Sequence, residues 1–116
     1  SKMPTMAQLG ELGSQMYVGN PSIGAKEDKS NIQYDPNSPV SKALGLTSYF
    51  YLWSGEENNS NNAYNRNFNS TNSNWNNNNR NNSNKQAVCL GDGICLSKCF
   101  FITYLGGIGK VPNGSI

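Results

Sequence analysis

The chain has 116 residues, enough for one domain, or part of one, around a modest core. Nine basic and seven acidic groups leave a net charge of only +2, and there is no histidine. A surface that tracks phosphates needs clustered Lys and Arg, so nucleic acid is not an expected partner.

Thr5-Met6-Ala7-Gln8 has the form of a capping box. Met6, Leu9, Leu12, Met16 and Tyr17 then fall on one helical face, which predicts a helix running up to Gly19. Gly10 and Gly13 weaken that helix but admit a close neighbour. Residues 20–37, with Pro21, Gly24, Pro36 and the charged run Lys26, Glu27, Asp28 and Lys29, read as loop. Ser38-Pro39 ahead of residues 40–44 and Gly45 predicts a short capped helix. Residues 47–53 (TSYFYLW) have the aromatic, β-branched content of a core strand. Tyr64, Arg66 and Phe68 alternate with Asn65, Asn67 and Asn69, the period of a strand with one covered face. Residues 86–90 predict a further strand, buried on both faces. After Gly91-Asp92-Gly93, residues 94–105 are too short and too often interrupted to cross a bilayer and suit a core element. The closing GGIGKVPNGSI reads as a frayed tail.

One helix, a second short one and several short strands predict an α+β class with a mostly antiparallel sheet. Leu9, Leu12, Met16, Phe50, Leu52, Trp53, Phe68 and Val88 are the expected shared core. The start, SKMPT, has no charged-then-apolar signal pattern, which fits a removed leader or a start inside a longer protein.

Residues 58–84 are mostly asparagine, threaded with Tyr64, Arg66, Phe68, Trp75 and Arg80. Such tracts are commonly disordered, and one reading is a structural or orphan fragment with no independent activity. The other is an ordered frame that presents amides, each offering an acceptor and two donors without charge. On that reading Ala63, Phe68 and Trp75 are buried supports. Asn65, Asn67, Asn74, Asn76, Asn78 and Asn81 face solvent and bind ligand, with Tyr64, Trp75, Arg66 and Arg80 as anchors. Amides bonded to one another within the chain would be a third outcome, and substitutions would then cost stability.

Cys89, Cys95 and Cys99 cannot complete a four-ligand zinc set without histidine. A disulfide from Cys89 to Cys95 or Cys99 and three buried thiols both fit. With no histidine to act as base, Ser–His or Cys–His catalysis is absent. Glu56 and Glu57 are adjacent and would point to opposite strand faces, which does not suit paired-carboxylate chemistry. GGIGK at 106–110 lacks the Ser/Thr and glycine spacing of a phosphate loop. The four Asn-x-Ser/Thr sites, at Asn58, Asn69, Asn81 and Asn113, are what so much asparagine produces by chance. No enzyme activity and no cofactor are expected.

MPTMAQLGEL, LGLTSYFYLWSGEE, NAYNRNFNSTNSNWNNNNRNNSN and QAVCLGD resemble, in order, the later two-thirds of a bacterial domain family. It includes the Fib-succ major paralogous domain and the C-terminal domain of collagen-like adhesins. The family's helix pattern "W-R-L-P-T-x-x-E-L" corresponds to Met3-Pro4-Thr5 with Glu11-Leu12. Its strand "Y-W-S-S-x-E" corresponds to Leu52-Trp53-Ser54-Gly55-Glu56. Its "A-W-x-x-x-F" falls on Ala63-Tyr64 with Phe68, and its "V-R-C-V" on Ala87-Val88-Cys89-Leu90. The resemblance implies a C-type-lectin-like domain of the formylglycine-generating-enzyme form over residues 1–92, lacking its N-terminal elements. Residues 93–116, a Cys-containing extension and glycine-rich tail, have no counterpart. Cys89 often has its partner in the missing part. The scaffold is similar to variable proteins of diversity-generating retroelements, in which asparagine codons are varied. It implies a bacterial or phage recognition module, secreted or at the cell surface, that meets a protein or glycan. The calcium-dependent lectins of this fold use a Trp-Asn-Asp element, but Trp75-Asn76-Asn77 lacks the acid, so no metal is expected.

Overall fold

The computed structural model describes residues 3–90 and the backbone of two later strands, 99–102 and 108–110. Its elements in order are α1 (Met6–Ser14), β1 (Lys29–Ser30), α2 (Pro39–Leu44), β2 (Phe50–Glu57), β3 (Asn62–Phe68), β4 (Asn72–Ser73), β5 (Trp75–Asn79), β6 (Ala87–Leu90), β7 (Cys99–Ile102) and β8 (Ile108–Lys110).

The capping box forms. The Thr5 hydroxyl accepts the Gln8 N–H at 3.1 Å, and the Gln8 side chain accepts the Thr5 N–H at 2.9 Å. Helix α1 nevertheless ends at Ser14, short of the expected Gly19, and a turn through Asn20 (φ 48°) and Gly19 (φ 80°) follows. Met16 and Tyr17 are buried beyond the helix end, where tertiary contacts rather than helical phase place them. A Cβ on Gly10 would lie 2.3 Å from the Ile23 carbonyl oxygen, so the loop after α1 packs directly on its backbone. Helix α2 has the expected Ser38 cap, Pro39 in its first turn and Gly45 at φ 64° as its stop.

Three small sheets follow. Strands β2, β3 and β5 form an antiparallel sheet in that order, and β1 pairs with β4. The core strand begins at Phe50 rather than residue 47 and runs on to Glu57, because residues 51–57 extend its pairing with β3 through a register shift. Gln86 exchanges backbone bonds with Tyr51 and Trp53, joining the approach to β6 to the outer edge of β2. Strand β6 pairs parallel with β7, and β7 antiparallel with β8. The molecule is thus a small α+β domain with mostly antiparallel sheet. Hydrogen-bonded pairing continues past residue 92, and Ile108–Lys110, expected in a frayed tail, pairs with residues 100–102. Cys89 is buried and disulfide-bonded, which removes the reading of three free thiols. The Gly91–Gly93 turn, Cys95, Asn113 and the start of GGIGK lie outside the described residues.

The core packs the α1 residues Met6, Leu9 and Leu12 against Phe50, Leu52, Phe68 and Val88, with Met16 and Leu44. Rings form a chain through it. Tyr17 meets Tyr34 edge-on at 5.7 Å, Tyr34 meets Phe50 at 6.4 Å, and Phe50 stacks on Phe68 at 5.0 Å. Trp53, expected here, is only half-buried because it lies on the other side of the sheet. Among the described residues, no helix is long and apolar enough to cross a membrane.

Candidate functional site

Side chains alternate across a strand, so the pairing register sorts the sheet into two faces. Phe50↔Phe68, Leu52↔Arg66, Arg66↔Trp75 and Tyr64↔Asn77 share the inner face toward α1. Tyr51↔Asn67, Trp53↔Asn65, Asn65↔Asn76 and Ala63↔Asn78 share the outer face.

The inner face holds the frame. Arg66 is fully buried, and its guanidinium donates to the carbonyls of Ser73 (3.1 Å), Gly24 (2.9 Å), Ala25 (3.4 Å) and Glu27 (2.8 Å). Burial lowers its pKa from the ordinary value, while the carboxylates of Asp28 and Glu27 act the other way. Its two terminal nitrogens tie residues 24, 25, 27 and 73 to the sheet, while its buried Nε has no partner among the described residues, so Arg66 does not present itself to a ligand as expected. Tyr64 and Trp75 lie half-buried against the core, 6.0 Å apart. Lys26 caps the Tyr64 ring at 4.1 Å, and the Tyr64 hydroxyl donates to Asn58. These two expected anchors therefore belong to the supporting side.

The outer face carries the amides, and most are engaged within the chain. Asn65, expected at the surface, is fully buried; its nitrogen donates to Asn78 at 2.9 Å, and its oxygen has no partner among the described residues. The Asn67 oxygen accepts the backbone N–H of Asn74 at 2.8 Å. The Asn76 oxygen likewise accepts the N–H of Asn77 at 2.8 Å. Asn67, Asn74 and Asn78 are half-buried, and Asn76 and Asn81 are exposed. Asn81 lies past β5 in a turn, away from this grid of strands. Among the supports, Phe68 is fully buried, whereas Ala63 and Trp75 are partly so.

Sequence reasoning missed the aromatic part of this face. Tyr51 and Trp53 stand beside Asn67 and Asn65, and the Lys85 ammonium lies 4.7 Å and 5.5 Å from their ring centres. Burial lowers the Lys85 pKa from its ordinary value. Tyr49 meets Tyr51 edge-on at 5.9 Å. The odd-numbered run Tyr49, Tyr51, Trp53 was the available signal, since these rings carry polar ends and alternate with Phe50 and Leu52. Where the face meets the end of β2, a cleft of ≈ 330 Å³ opens beside Trp53, Ala63 and Ala87. Arg80 lines it and is ion-paired with Glu57 at 2.7 Å. Both side chains are exposed, so Arg80 remains a surface cation at the rim.

Among the described residues no three His, Cys, Asp or Glu side chains gather as a metal set. Comparison with protein-family models, with curated proteins and with solved structures finds no match to this chain.

Proposed function

We propose that this protein is a non-enzymatic ligand-recognition or adhesion module whose binding surface is the outer face of the β2–β3–β5 sheet. One observation carries the reading: Tyr51 and Trp53 stand in cross-strand register with asparagine amides, on the face opposite the core. Rigid rings beside short, adaptable polar groups are the chemistry of recognition surfaces. The order of motifs along the chain supports a C-type-lectin-like scaffold, secreted or displayed by a bacterium or phage. It supports a retroelement-diversified variable protein in the same way, with the asparagine codons as the varied positions.

The full chain, screened on arrays of immobilised glycans and proteins, should bind a defined ligand, and Trp53→Ala should abolish that binding. No binding above background, or binding indifferent to Trp53→Ala and Asn76→Tyr alike, would overturn the reading. Sequencing the gene from independent isolates tests the diversification. Differences should concentrate in the codons for Asn67, Asn74, Asn76 and Asn78, and an even spread would reject it.

A further inference from the structure

A backbone N–H can be met only by the oxygen end of an amide, so the bonds made by Asn67 and Asn76 fix which end points away. In both, the oxygen is the end engaged within the chain and the NH₂ is the end left for a ligand. In Asn78 the oxygen likewise accepts, from the Asn65 nitrogen, which leaves the Asn78 nitrogen for a ligand. No acceptor among the described residues is bonded to these three nitrogens. The fourth donor is the Lys85 ammonium at the β2 side of the same face. The acceptors of these three amides are thus consumed within the fold, and the surface they form is one of donors.

A donor surface selects a ligand rich in acceptors. From this polarity we infer that the outer face recognises an acidic glycan, in which occasional carboxylates are set among neutral acceptor oxygens. The inference rests on the recognition reading above. One ammonium among several neutral NH₂ groups matches low charge density; a peptide acidic at every residue would require a cation for each carboxylate. The carboxylate would meet Lys85 and an amide nitrogen, and ring and acetamido oxygens would accept from the remaining amides.

Asparagine-to-aspartate exchange tests this with little change of shape. In Asn67→Asp and Asn76→Asp a carboxylate oxygen still accepts the backbone N–H, but the outward donor becomes an acceptor. Titration calorimetry of the full chain would compare three probes: a hexasaccharide of alternating glucuronate and N-acetylglucosamine, a glucosamine hexamer and a hexaglutamate peptide. The acidic hexasaccharide should bind best. The double Asp variant should lose about tenfold or more in affinity at an unchanged melting midpoint, the loss expected for one charge-assisted bond. Lys85→Met, which keeps the aliphatic cover over the rings, should weaken binding as well and serves if the Asp pair unfolds. Preference for the glucosamine hexamer, or acidic-hexasaccharide binding indifferent to the Asp pair and to Lys85→Met, would overturn the inference. So would preference for hexaglutamate, which would make the ligand an acidic peptide and leave the recognition reading standing. If none of the three binds, the acidic-glycan assignment falls, and the array screen still decides the recognition reading independently of ligand charge.

Discussion

On the inner face of the β2–β3–β5 sheet Arg66 directs its guanidinium onto backbone carbonyls of residues 24, 25, 27 and 73, and Phe68 stacks on Phe50. On the outer face the oxygens of Asn67, Asn76 and Asn78 accept from groups close by in the same sheet, and no partner is bonded to their nitrogens among the described residues. The difference lies in what each side chain is bonded to: Arg66 ties distant segments to the sheet, whereas the outer amides bond to neighbours within it. Asn65 crosses the division: it sits in the outer register yet is fully buried.

The comparison can be broken by mutation. Phe68→Ala removes a fully buried ring from the inner face and should cost about 3–5 kcal/mol in a denaturant melt. A cost near zero would show that the inner face does not hold the fold. Asn65→Ser should cost about 1–2 kcal/mol, since it strips Asn78 of its buried donor. If it is as silent as an exposed position, Asn65 does not support the sheet.

Tyr17 sharpens the inner side through pH. Its hydroxyl donates to the carbonyls of Asn69 and Asn72 at 2.8 and 2.9 Å, and burial raises its pKa above the ordinary value. A raised folded-state pKa means that the native state holds this proton more tightly than the unfolded chain does. That contribution is complete below about pH 10, the unfolded tyrosine value, and is lost as pH rises beyond it. Chemical melts should therefore show stability falling above about pH 10, and Tyr17→Phe should reduce that fall while costing about 1 kcal/mol at neutral pH. An unchanged alkaline slope in Tyr17→Phe would remove the buried phenol from the account. The smallest effect is expected at Asn81, where replacement by Tyr or Ser should shift stability by no more than about 0.5 kcal/mol. A larger loss would extend the supporting frame into the turn.

Much of the frame was legible in the sequence, because its signals are local or periodic. Thr5 with Gln8, and Ser38-Pro39 with Gly45, mark the helix ends by capping chemistry that needs no distant partner. The period-2 placement of Tyr64, Arg66 and Phe68 identified the inner face correctly. Its converse, that every intervening asparagine is exposed, failed at Asn65, because depth within a sheet depends on neighbours that a row of identical residues cannot reveal. The role of Arg66 is not legible in the sequence, since nothing there shows that carbonyls more than forty positions earlier converge on it. Tyr51 and Trp53 read as part of a core strand because the run 47–53 is aromatic throughout, which masks its alternation.

The outward edge of β5 has one more consequence. Its Trp75 N–H is taken by the Asp28 carboxylate and its Asn77 N–H by the neighbouring Asn76 side chain. An approaching strand from another molecule would find both donors occupied, although the segment has the composition from which amide ladders polymerise. Two short side chains thus act as plugs against templated stacking, and Asn76, an exposed amide of the β5 row, couples any retuning of the surface to the colloidal behaviour of the whole protein.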